Sequence, residues 1–272
     1  MKRINLSWNL RSLLTHFGEE NLSTTNLLRR QKFVVGDEVY SIPVYSGNAV
    51  RGQCRRLIVK DFLETLGIDK VSLKVYHTLF SGGSLVSGVS LTMGDKKRLC
   101  EMLPFVSVLG AAVGDTILQG KVSFSPLYLV CKELNSFNTT QSDLSFKELI
   151  DEVFYVRKDD KKSQIFDISD SEDNEKAEPV QMKYDMEAIA AGARMESNIT
   201  ISATEDIELA CVAKMLNLLS EVNRLGGKSA VGHGAFTLEY ESGLDSSAYD
   251  EFLASNAEAI KAYMSELEGI LK

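Results

Sequence analysis

Two glycine-punctuated segments at opposite ends of the chain place basic and hydroxyl side chains beside backbone that can approach a phosphate closely. The first is Ile42-Pro43-Val44-Tyr45-Ser46-Gly47-Asn48-Ala49-Val50-Arg51-Gly52-Gln53-Cys54-Arg55-Arg56. The second is Leu225-Gly226-Gly227-Lys228-Ser229-Ala230-Val231-Gly232-His233-Gly234-Ala235-Phe236. Glycine carries no Cβ, so successive N–H groups in such a turn can close on an anion. Ser46, Gly47 and Asn48 supply cap chemistry for a helix over roughly 48–66. On that helix Arg51 and Arg55 share one face, with Arg56 and Lys60 on the adjacent one. Arginines so early oppose the helix dipole, at ~0.3–1 kcal/mol each unless an anion offsets them. Gly52 lets a partner backbone come near. The plain alternatives are a solvated basic face and a tight helix-to-strand connection.

Other chemistry finds less support. Gly227-Lys228-Ser229 imitates the end of a phosphate-binding P-loop, but that motif needs glycine where Val222 stands, and a strand before it rather than a helix. The three histidines, His16, His77 and His233, form no HxxxH or HExxH spacing, and the four cysteines form no CxxC pair. No metal or other cofactor is expected. His16 and His233 are the pair to watch, since both leave the ends of expected strands. Arg29, Arg30 and Lys32 make a small basic cluster, and Arg194 sits at the edge of a long insertion. Aromatic residues are sparse at 8%, which favours tracking a nucleic-acid backbone over stacking on bases.

The elements that must position these residues follow from periodicity. Ile4, Leu6, Trp8 and Leu10 alternate as a strand, and 32–44 reads as a hairpin turning at Gly36-Asp37. Residues 67–119 form a helical and glycine-loop insertion. Val122, Phe124, Leu127 and Leu129 return to strand. Residues 132–194 form a second insertion whose middle, 167–178, holds six acids and is expected to be a mobile loop. A strand over 195–203, a helix over 205–224 with Ile207, Cys211, Met215, Leu218 and Val222 inward, a strand over 235–240 and a helix over 246–272 complete the chain. Strand, helix, strand, strand, helix, strand is an α+β order, βαββαβ, with helices on one face of the sheet.

At 272 residues the chain can bury a full core, and it reads as a single elaborated domain over 1–272. No apolar run approaches the ~20 residues that span a bilayer, and unpaired cysteines fit a reducing, cytoplasmic setting. The net charge of −8 counts against nucleic acid only until its distribution is considered. Residues 1–60 carry ten Lys and Arg against four Asp and Glu, so one end can attract a polyanion locally.

The segment Ile42–Gly52 resembles the signature that opens the first helix of an RRM-like core in the RAMP superfamily. More narrowly it is similar to the Cas-seven-like backbone subunits of CRISPR effector complexes. Gly110 to Pro126 resembles that family's central strand region, and Leu225–Phe236 its glycine-rich loop. The resemblance implies an RRM/ferredoxin-like βαββαβ core with helical and β-hairpin, thumb-like insertions. It implies a non-catalytic subunit that polymerises along CRISPR RNA beside other effector subunits and a complementary target strand. Ser46, Gly47, Asn48, Arg51 and Arg55 would hold the guide, with Gly226–Gly234 beside them and 132–194 as the thumb. Ser46–Gly52 and Leu79-Phe80-Ser81-Gly82-Gly83 are similar to the type IV kind. Type III relatives cut with an aspartate between the first strand and this motif; residues 11–31 hold Glu19 and Glu20 but no aspartate, and Asp37 lies in the hairpin turn. The competing resemblance is to a Cas-six-like, metal-free repeat endonuclease, with His16 or His233 as general acid or base.

Overall fold

The computed structural model describes residues 1–22, 25–83, 90–158, 181–203 and 205–271. The acidic segment expected at 167–178 lies outside them. Among the described residues thirteen strands occur in chain order: β1 (Lys2–Leu10), β2 (Phe17–Leu22), β3 (Thr25–Leu28), β4 (Arg30–Val35), β5 (Glu38–Tyr45), β6 (Ala111–Val113), β7 (Thr116–Leu118), β8 (Val122–Phe124), β9 (Leu127–Leu129), β10 (Ile150–Lys158), β11 (Gln181–Ile189), β12 (Arg194–Ile201) and β13 (Phe236–Tyr240). The helices are α1 (Gly47–Thr65), α2 (Leu73–Tyr76), α3 (Met93–Met102), α4 (Pro104–Leu109), α5 (Asp206–Val222) and α6 (Ser247–Ile270).

The main sheet runs β13-β1-β12-β9-β5-β4, with β8 also paired to β12. Without the β4–β5 hairpin at its edge, this is the antiparallel order of a ferredoxin-like βαββαβ unit, with α1 and α5 as its two helices. Period-two alternation on β1 sets the layers. Ile4 lies opposite Ile199, Leu6 opposite Ser197 and Trp8 opposite Met195, and all six are buried. The one polar member is satisfied, because the Trp8 indole N–H donates to Ser197 Oγ at 2.8 Å. The other face carries Arg3, Asn5, Ser7 and Asn9 opposite Thr200, Asn198, Glu196 and Arg194, and it remains polar.

Ser46 caps α1 as expected, accepting the Ala49 N–H at 3.2 Å. Gly47 is required by packing, since a Cβ there would lie 2.3 Å from the Phe124 carbonyl oxygen of β8. The hairpin at Gly36-Asp37 also stands where it was expected. Three expectations need correction. Residues 11–31 are not a plain loop: β2 and β3 join the hairpin of the second insertion in a four-stranded sheet, β10-β11-β3-β2. The first insertion ends in a short β6–β7 hairpin that periodicity did not reveal. Val222 is exposed, because α5 ends there and Asn223 turns left-handed at φ 44°. Among the described residues no helix is long and apolar enough to cross a membrane.

Arg55 is the largest departure from an outward basic face. It is 5% exposed, and its guanidinium donates to the Leu109 and Gly110 carbonyls at 3.1 and 2.9 Å, closing the C-terminal end of α4. Gly82 lies against the same guanidinium, where a Cβ would come within 3.3 Å. Burial, aided by Arg51, holds its pKa down at about 10, so it stays charged at neutral pH. Arg55→Leu removes the donor of the Gly110 carbonyl, leaves the Leu109 carbonyl with Arg51 alone, and is expected to cost about 1–3 kcal/mol. Thermal unfolding should show a clear loss of Tm; an unchanged Tm would mean that Arg55 does not brace this corner.

Candidate nucleic-acid interface

The two glycine segments meet. The loop after α5 crosses the β1–β2 connection, where the Gly226 N–H donates to the Tyr45 hydroxyl at 3.1 Å and the Gly227 N–H to the Thr15 carbonyl at 3.1 Å. Thr15 Oγ1 returns a bond to the Gly227 carbonyl at 3.0 Å. No side chain fits between them, since a Cβ on Gly226 would stand 2.2 Å from the Thr15 carbonyl oxygen. Around this crossing lies an open pocket of about 300 Å3 whose lining includes His16, Arg56, Gly226, Gly227 and Ser229. Arg224 and Gln53 line it too. Arg56 and Arg224 are exposed, and neither has a carboxylate partner within 4.0 Å among the described residues.

The glycine loop spends most of its own amides internally. Gly232 and His233 donate to the Ser229 and Lys228 carbonyls, and Gly234 donates to Leu13. Lys228 turns left-handed at φ 61°, and the N–H groups of Lys228, Ser229 and Ala230 find no acceptor among the described residues. Three amides are therefore unspent among the described residues, rather than the longer run expected from four glycines. Gly232 and Gly234 serve the turn itself, at φ 91° and 79°.

A second open pocket of about 290 Å3 sits at the N-terminus of α1, lined by Gly47, Asn48, Arg51, Gly120 and Ser123 among others. At 100° per residue, Gly52 falls between the Asn48–Arg51 side of α1 and the Gln53–Arg56 side. A Cβ on Gly52 would meet only the Arg56 guanidinium, at 3.5 Å. The helix surface is low there, between the two pockets. Arg51 also donates to the Leu109 carbonyl.

The remaining candidates are dispersed. Arg29 is exposed, and its backbone N–H donates to the His16 carbonyl at 2.7 Å. Arg30 pairs with Glu187 of β11 at 2.8 Å and donates to the Ser41 carbonyl at 3.2 Å, so it ties β4 to the inserted hairpin. Arg194 opens β12, not the insertion edge, and donates to Ser7 Oγ on the polar sheet face. His233 is 3% exposed, with Nε2 2.6 Å from the Tyr155 hydroxyl of β10. Lys228 Nζ lies 4.4 Å over the Tyr184 ring of β11 and donates to its hydroxyl at 3.2 Å. His233 and Lys228 thus fasten the loop to the hairpin, and only His16 of the expected imidazole pair lines the pocket. Thr15, Gln53, Tyr45 and Arg224 went unnoticed in sequence; Arg224, the last cation before Gly226, was the one with a readable signal.

Burial first and Arg29 second hold the His16 imidazole below its ordinary 6.5. Burial first and Lys228 second do the same for His233. No group of three or more His, Cys, Asp or Glu among the described residues could hold a metal ion.

No protein-family model matches the chain, and no curated protein matches it. Among solved structures, a chain of a Type IV-B CRISPR complex superposes with a TM-score of 0.64 at 21% identity, over 89% of this chain and 91% of that one. The fold is therefore that of a chain found in such a complex, an α+β RRM/ferredoxin-like core.

Both imidazoles are held low, so the folded chain binds fewer protons than the unfolded one just below pH 6.5. Their contribution to stability is complete above 6.5 and is lost as pH falls through the lowered folded values. Thermal melts should show a lower Tm at pH 5.5 than at 7.5, with a smaller difference in His16→Asn/His233→Asn. An equal difference in that variant would assign the pH response to other groups.

Proposed function

We propose that this chain is a CRISPR effector subunit that holds the backbone of a guide RNA along α1 and the glycine loop, without cutting it. One observation carries the reading: Arg56, Arg224 and His16 line the same pocket as Gly226, Gly227 and Ser229. Two exposed guanidiniums beside the unspent Ser229 amide suit the phosphates of a single strand, which need charge and N–H donors but no base reading. Its likeness to a chain of a Type IV-B CRISPR complex supports the same reading. Arg56, rather than Arg55, is the cation of the first segment that serves this pocket, with Asn48 and Arg51 beside the next stretch of strand. On this reading copies of the chain line up along the guide, the β10–β11 hairpin is the thumb, and other effector subunits and a complementary strand complete the particle.

The test is the RNA that copurifies from cells expressing a CRISPR array. Guide-length RNA should accompany the protein in a multimer and be lost in Arg56→Glu/Arg224→Glu. Replacing both arginines by Ala should flatten the salt dependence of single-strand binding, the log–log slope shrinking by about 1.4 for two lost phosphate contacts. An RNA-free protein that fails to bind guide at low salt would remove the proposal. Specific cutting of repeat RNA in EDTA would instead favour the metal-free endonuclease, with His16 as its general acid or base.

A further inference from the structure

The polar face of the main sheet, away from the helices, holds a groove of about 270 Å3. Its lining includes Arg3, Asn5, Asn198, Asn138, Tyr128 and Phe137. Asn5 and Asn198 are cross-strand neighbours, and neither side-chain amide has a partner among the described residues. Arg3 is exposed and makes no ion pair among the described residues. The carboxylates nearby are already engaged. Glu196 accepts the Thr139 and Thr140 N–H groups at 2.6 and 3.0 Å, and Glu239 accepts from Asn9 at 2.9 Å. The formal charges of the lining balance, Arg3 and Arg194 against Glu196 and Glu239, and both carboxylates already hold N–H donors.

Asn138 supplies a second, independent observation. It is 9% exposed, and its Nδ2 donates to the Leu129 carbonyl at 2.8 Å. A carbonyl can only accept, so that bond fixes the amide orientation and leaves Oδ1 as the other atom. Oδ1 is buried and has no hydrogen-bond partner. An orphaned acceptor of this kind carries a desolvation penalty that an incoming N–H donor would relieve. Next to it Phe137 is 50% exposed, held edge-on to Phe33 at 5.5 Å, and Tyr128 meets the same ring at 5.5 Å.

We infer that this groove takes one base of a single-stranded nucleic acid, stacked on Phe137 or Tyr128 and read along its edge by Asn5, Asn198 and the Asn138 acceptor. A base has the flat face, the N–H donors and the carbonyl or ring-nitrogen acceptors that this set complements, and Arg3 suits its phosphate. A protein partner would need a broad apolar centre, which a small amide-lined groove lacks. The site is separate from the backbone site on α1 and differs from it in kind, because it depends on bases.

The experiment compares oligoadenylate with an abasic strand of equal length, titrated against the nucleic-acid-free full chain by fluorescence anisotropy. The wild type should prefer the strand with bases. In Asn5→Ala/Asn198→Ala/Phe137→Ala that preference should fall about tenfold or more, with abasic affinity unchanged. Arg56→Glu should weaken both strands alike and leave the preference intact. Asn198→Ser, a milder change, should lower the preference in the same direction, and thermal melts confirm that each variant is folded. Ultraviolet cross-linking should place the nucleotide on Phe137 or Tyr128. A preference untouched by the groove variants, equal wild-type binding of the two strands, or a switch in oligomeric state with no change in preference would each overturn the inference while leaving the α1 site standing. Failure of the wild type to bind either strand would remove both.

Discussion

The close crossing of the glycine loop over the β1–β2 connection is the constraint on which the rest depends. Gly226 and Gly227 bond Tyr45 and Thr15, and Gly234 donates to Leu13. A Cβ on Gly234 would lie 1.8 Å from the Leu225 carbonyl oxygen, so the backbone itself fills the space a side chain would need. Neighbouring strands β1 and β13 bring these loops to one end of the sheet. The pocket at that end is then a consequence of sheet order, and its cations come from α1, which carries Arg56, and from the loop just after α5, which carries Arg224.

The same crossing explains why the inserted hairpin stands where it does. Tyr155 and Tyr184 stack at 5.6 Å across β10 and β11, and the loop reaches this pair through His233 and Lys228. On the hairpin's other margin, Glu187 accepts from Arg30 and from the Leu28 N–H at 3.0 Å. The hairpin is thus clamped from two sides at its base, with β3 pairing alongside β11.

The skeleton was legible because period-two and 3.6-residue apolar patterns survive wherever one face packs and the other meets water. The alternation of β1 and the cap at Ser46 are of this kind. Residues 11–31 hid β2 and β3 because an edge sheet paired largely with an insertion needs little apolar contrast. The site was legible as two segments and not as side chains. Arg55 and Arg56 are adjacent and chemically identical, yet one is buried against the α4 carbonyls and the other is exposed. That choice is made by Leu109, Gly110 and Gly82, more than fifty and more than twenty-five residues away in sequence, and no local pattern encodes it. His233 was misread for a similar reason: its partner, Tyr155, lies in an insertion with no sequence signal tying it to the loop.

An overall charge of −8 does not preclude the proposed polyanion site, because a local cluster of cations sets the field at one pocket. Several acids outside the site are engaged in holding the fold together. Asp61 and Asp250 share Lys214 between α1, α5 and α6 at 3.4 and 2.9 Å, and Glu208 joins Ser107 and Lys121 beneath α4. At the pocket the arrangement is inverted: among the described residues Arg56 and Arg224 have no carboxylate partner and the Ser229 N–H has no acceptor. Arg56 meets the neutral Gln53 Oε1 at 2.7 Å, a bond that leaves its charge uncompensated. The coincidence of these groups on the rim of a glycine crossing is what the proposed anion site rests on, and bulk charge does not register it.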